Sequence, residues 1–117
     1  MEITYFFRKP KFPIICEIDG YLIATKSKRG FEKQLSRFEV FRKRQYNFVD
    51  ISGEGWVFHG EQMVISPMTF KKRWTKKEIV RMFNKRENNF DGATYSEKSV
   101  SAKRFDRIFR EIVDLLI

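Results

Sequence analysis

Apolar positions follow two rhythms along this chain, and the change falls at Pro67. Before it, except over residues 31–45, short apolar runs are separated by Gly, Pro, Asp and Ser, which is the pattern of strands joined by tight turns. After it, apolar residues return every three or four positions, the helical repeat. Ile3 to Arg8 predicts a first strand, ended by Pro10 and Pro13, which cannot donate to a ladder. Apolar runs on either side of Asp19-Gly20 predict a hairpin, since a type I′ turn needs positive φ at both central residues. A two-residue loop sets Ile18 opposite Tyr21, Cys16 opposite Ile23 and Ile14 opposite Thr25. One face then carries Ile14, Cys16, Ile18, Tyr21 and Ile23. The other carries Ile15, Leu22 and Ala24, with Glu17 as the exception. Two apolar faces predict a central place in the sheet.

Ser27 to Gly30 reads as a turn. Phe31, Leu35, Phe38 and Phe41 then recur at helical spacing among good helix formers, predicting a helix over 31–45. The run from Phe38 to Phe41 also fits an extended segment. Tyr46 to Ile51, Trp56 to Phe58 and Gln62 to Ser66 read as strands, divided by turns at 52–55 and 59–61. Pro67 ends the sheet.

The sharpest local signal is Thr75 followed three residues later by Glu78, a capping box, with Trp74 and Ile79 at the two positions of a hydrophobic staple. A helix is expected from Lys76 to about Glu87, burying Ile79, Met82 and Phe83. Its other side carries Lys77, Arg81 and Lys85 with no acid between them. Lys76 and Lys77 stand at the positive end of the helix dipole, where each cation costs a few tenths of a kcal/mol to about 1 kcal/mol. An anion docked there would relieve this. A last helix is expected over about 101–116, with Phe105, Ile108, Phe109, Ile112 and Leu116 on one stripe. Its polar side pairs acids with bases at i, i+4 and reads as an ordinary solvated face. The fold predicted is a single α+β domain over 1–117: an antiparallel sheet built from hairpins, with about three helices, two of them C-terminal, packed mainly on one face.

Composition narrows the class. Hydrophobic residues make up 42% of the chain and aromatics 16%, which excludes a disordered polymer. No apolar run reaches the roughly 20 residues of a membrane span, and the opening residues lack the order of a signal peptide. One cysteine permits neither an internal disulfide nor a cysteine metal cage. These features lead us to expect a soluble, cytoplasmic protein with no membrane partner.

Charge changes the picture further. The net charge is +9, and it is concentrated in two windows. Lys26 to Arg44 holds eight basic residues against Glu32 and Glu39; Lys71 to Arg86 holds eight against Glu78 alone. Such segregation is the footprint of a polyanionic partner, while a surplus kept only for solubility would give the same total. The main candidate patch is Lys71, Lys72, Arg73, Lys76, Lys77, Arg81 and Lys85, and a second patch is Lys26, Lys28, Arg29, Lys33 and Arg37. Both suit nucleic-acid phosphates with low sequence specificity. An acidic protein surface, bound by an inhibitor, adaptor or regulator, is the alternative. Trp74 would stack on a base or pack on Ile79, and the staple favours packing.

Catalytic chemistry has little support. Asp50, Glu54, His59 and Glu61 lie close in sequence, and a metal-dependent nuclease using Glu54, His59 and Glu61 is the third reading. Their spacing matches no metal-ligand pattern. Cys16 sits in an apolar strand, where a thiol acts as a small hydrophobe. There is no GxSxG, P-loop or GxGxxG. No catalytic residue, cofactor or metal is therefore expected.

Overall fold

The computed structural model describes residues 2–37, 44–70, 73–96 and 102–117. In chain order its elements are β1 (Thr4–Tyr5), β2 (Ile14–Ile18), β3 (Tyr21–Thr25), α1 (Lys28–Leu35), β4 (Gln45–Asp50), β5 (Gly55–His59), β6 (Val64–Pro67), α2 (Lys76–Asn84) and α3 (Phe105–Leu116). The fold is α+β. The six strands make one sheet in the order β1-β6-β5-β4-β2-β3.

Asp19 and Gly20 take φ of 51° and 86°, and Ile18 pairs with Tyr21, Cys16 with Ile23 and Ile14 with Thr25. The hairpin register follows from the turn chemistry. Its place in the sheet differs from expectation: β2 is interior, but β3 is the edge strand. Leu22, Ile23, Ala24 and Thr25 are nonetheless buried. The edge itself is blunted by Asn88, whose side-chain amide accepts from the Leu22 N–H at 2.9 Å and donates to its carbonyl at 2.8 Å. That contact occupies backbone groups an edge would otherwise offer to another strand.

Helices contribute to the core on both faces of the sheet, one on the first and two on the second. Phe31 and Leu35 of α1 join Ile14, Cys16, Phe48, Trp56 and Phe58 on one side of the sheet. On the other, Ile79, Val80 and Phe83 of α2 and Ile108, Phe109, Ile112 and Val113 of α3 join Ile15, Leu22, Ala24 and Val49. Apolar residues on both faces require cover on both. The sheet is also mixed rather than purely antiparallel, because β1 runs parallel to β6, with Thr4 opposite Val64 and Tyr5 opposite Ile65. A parallel pair cannot be closed by a hairpin, so a hairpin reading misses it.

The first helix is the largest revision. It spans Lys28–Leu35 rather than 31–45, and Gln45 already belongs to β4. Ser27 is its N-cap and accepts from the Gly30 N–H at 3.0 Å, so the residues read as a turn are a helix start. Phe38 and Phe41 lie outside the described residues. The second helix begins at Lys76 as its cap dictates and ends at Asn84. The last begins at Phe105, and its buried stripe includes Val113.

Candidate nucleic-acid interface

The α2 N-terminus holds both reciprocal bonds of the capping box. Thr75 Oγ1 accepts from the Glu78 N–H at 3.3 Å, and Glu78 Oε1 accepts from the Thr75 N–H at 3.0 Å. A carboxylate of the chain itself thus occupies the end of the dipole where an external anion was expected. Lys76 is half-buried and donates to the Lys103 carbonyl at 2.8 Å. Arg73 donates to the Ser52 carbonyl at 2.9 Å, and its backbone forms a bridge with Glu54. Lys71 and Lys72 lie outside the described residues.

Lys77, Arg81 and Lys85 remain exposed along α2, away from Ile79, Val80 and Phe83. Arg81 and Lys85 line a cleft of about 500 Å³ against the β2–β3 turn, together with Glu17, Glu78 and Glu87. One of these acids, Glu78, belongs to α2 itself, and the other two come from its neighbours. Arg86, counted in the same basic window, is buried. Its guanidinium donates to the carbonyls of Phe83 and Ala93 and to the Asn89 side chain, at 2.7, 3.1 and 2.9 Å, and lies 3.7 Å from the Phe83 ring centroid. That arginine organises a loop. Trp74 is half-buried and packs against the cluster containing Ile79.

The second patch, Lys26, Lys28, Arg29, Lys33 and Arg37, lies on and beside α1, whose core contacts are on the opposite face of the sheet from those of α2. The two basic windows therefore do not line one groove. Lys26 sits 3.7 Å from Asp114. Lys28 reaches toward β1, its ammonium 5.5 Å from the Tyr5 ring centroid, and Lys9 approaches the same ring at 5.9 Å.

That contact leads to a surface that joins Lys28 and Arg73, one from each charge window, with Arg8 and Lys9, which neither window includes. Because β1 and β6 are parallel, the chain leaves both at the same end of the sheet. Phe6, Phe7, Arg8 and Lys9 follow one strand; Phe70 and Arg73 follow the other. The Arg8 guanidinium pairs with the Glu54 carboxylate and lies 5.2 Å from the Trp56 ring centroid. Glu54 in turn bridges to Arg73 through the backbone. Tyr5 thus connects Lys28 with Lys9, and Glu54 connects Arg8 with Arg73. The signal was present in the sequence, where Phe6-Phe7-Arg8-Lys9 and Phe70-Lys71-Lys72-Arg73 both set cations directly after phenylalanine.

The residues of the nuclease reading do not converge. Glu54 precedes β5 and His59 ends it, about 16 Å apart at the rise of an extended strand. His59 Nε2 lies 2.8 Å from Ser66 Oγ. Among the described residues no three His, Cys, Asp or Glu side chains are grouped to hold a metal ion. Cys16 is buried, and burial pushes its thiol far above the ordinary range, away from the nucleophilic thiolate. No helix among the described residues is long and apolar enough to cross a membrane. No family model, curated protein or solved structure matches this chain.

Proposed function

We propose that this chain is a small non-enzymatic module that contacts the phosphate backbone of nucleic acid with low sequence specificity. The observations supporting the reading are that Lys28 and Lys9 share the Tyr5 ring and that Arg8 and Arg73 both meet Glu54, so four cations from three separate segments gather beside the ends of β1 and β6. Cations in a row bind phosphates by releasing condensed counterions, which demands charge and reach but no base-specific groups. The exposed stripe Lys77, Arg81 and Lys85 is a second contact surface, weaker because Glu17, Glu78 and Glu87 border it.

Binding to mixed-sequence DNA and RNA across a salt series tests this. Affinity should fall steeply with salt, by a slope of about 0.9 for each phosphate neutralised. Lys9→Gln and Arg73→Gln should each reduce the slope by about one. Reversing Lys77, Arg81 and Lys85 to Glu should weaken binding less than losing both Lys9 and Arg73. Absence of binding at low salt overturns the proposal. An acidic protein partner is then the reading to pursue, favoured by basic windows on opposite faces and by the exposure of Phe6, Phe7, Phe70 and Phe90.

A further inference from the structure

We infer that Phe6, Phe7 and Phe70 are base-stacking side chains, so that the nucleic acid this module takes is single-stranded. The inference rests on the reading just given and adds to it the form of the ligand. Phenylalanine fills the core: Phe31, Phe48, Phe58, Phe83 and Phe109 are all buried. Against that background Phe6, Phe7 and Phe70 are 54, 86 and 79% exposed. Each forgoes much of the stabilisation that burying such a side chain contributes. Among the described residues Phe90 is also strongly exposed, but its sequence neighbours are Asn89 and Asp91 rather than cations.

The backbone holds these rings out. Phe6 donates its N–H to the Ile65 carbonyl at 2.8 Å, and Arg8 donates back to the Phe6 carbonyl at 3.0 Å. That second bond closes a three-residue turn on Phe7, which takes φ of 73°. Positive φ is uncommon for a residue with a bulky side chain, and a γ-turn of this sign is rare and strained. It ends β1 after two residues and sets Phe7 at the tip. The Phe6 and Phe7 rings stand nearly perpendicular, 78° apart with centroids at 4.4 Å, so two π-faces point in different directions.

Rings with cations one residue away are the components of a single-strand platform: the cations follow the backbone and the rings take successive bases. A duplex keeps its base faces stacked on one another and has none to offer. An interfacial amphipathic helix would set its apolar residues on one face and its cations on the other, whereas Phe7 sits at a tight turn. Here Arg8 and Lys9 follow the rings directly.

The experiment compares the full chain's affinity for oligo(dT), oligo(U) and a mixed-sequence duplex of equal length at one salt concentration. Single strands should bind at least severalfold more tightly than the duplex. Phe7→Ala and Phe70→Ala should each weaken single-strand binding by about five- to 100-fold, with the salt slope unchanged because no phosphate contact is lost. Phe7→Leu and Phe70→Leu keep apolar bulk without a ring and should weaken binding similarly, while Phe7→Tyr should restore it. Equal affinity for single strand and duplex, with the Phe variants unaffected, overturns this inference and leaves the phosphate-binding function standing. Binding to phosphatidylserine vesicles with none to any oligonucleotide overturns both.

Discussion

Asp50 has no solvent exposure, and five donors surround its carboxylate. They are the Lys11 N–H at 3.0 Å, the Ser52 N–H and hydroxyl at 2.9 and 2.6 Å, the Glu54 N–H at 3.1 Å and the Trp56 indole N–H at 2.9 Å. A buried carboxylate is tolerable only when bonded in this way. These bonds shape the β4–β5 turn and so place Glu54 where it holds Arg8. Asp50→Ala should lower stability by at least about 3 kcal/mol, since each buried donor left unpaired costs roughly 1–3 kcal/mol; urea denaturation reads this directly. A second group sets the pH response. Glu111 accepts from Lys103 at 2.8 Å and from the Tyr95 hydroxyl at 2.8 Å. Those bonds, that from Lys103 first, hold the Glu111 carboxyl below its ordinary range. Its contribution is present above the unfolded pKa and is lost as pH falls through the folded value. Burial, then the bond to Glu111, pushes the Tyr95 phenol up to about 12. Between pH of about 10, where a free phenol ionises, and that value, the unfolded state has released a proton that the folded state retains. Stability therefore falls across that interval. Tyr95→Phe should flatten the fall in urea midpoint above pH of about 10. An unchanged slope would show that the phenol does not titrate as described.

Among the elements, α2 is the one whose start the sequence states most clearly. Capping is local: Thr75 and Glu78 need only each other, and the helix starts where they place it. Thr75→Ala should lower stability by about 0.5–2 kcal/mol, read as a shift in the denaturation midpoint. An unchanged midpoint would mean the cap carries no load. The Asp19-Gly20 hairpin was legible for the same reason, as its turn chemistry alone determines register. What could not be read was anything settled by residues distant in sequence. Phe31 and Leu35 declared a helix, but Ser27 passed for a turn residue, since serine serves turns and N-caps equally. The pairing of Thr4 with Val64 has no local signature. Without it, nothing in the sequence brings Phe6 and Phe70 to the same end of the sheet. The charge windows were visible, yet the side chains within them take different directions: Lys76 to a carbonyl, Arg86 into a loop, Arg73 toward Ser52.

Among the described residues the sheet separates two layers, α1 on one face and α2 with α3 on the other. A binding surface at one end of the sheet draws on several elements at once, and all of them must be in place. β1 is the weakest of these. It joins the sheet through two residues whose partners lie half a chain away. Closing so long a loop costs entropy before the contact returns any stability, and a two-residue ladder returns little. β1 should therefore be the strand that opens first. The Thr4 and Phe6 amides, which donate to Met63 and Ile65, should exchange with deuterium by local opening, much faster than those of β4 and β5. A strand bound across Phe6 and Phe70 would favour the docked state, and ligand that binds only one state raises its population. Saturating oligo(dT) should slow exchange at Thr4 and Phe6 while leaving the β4 and β5 amides nearly unchanged, so that the edge of the sheet becomes ordered by its own cargo.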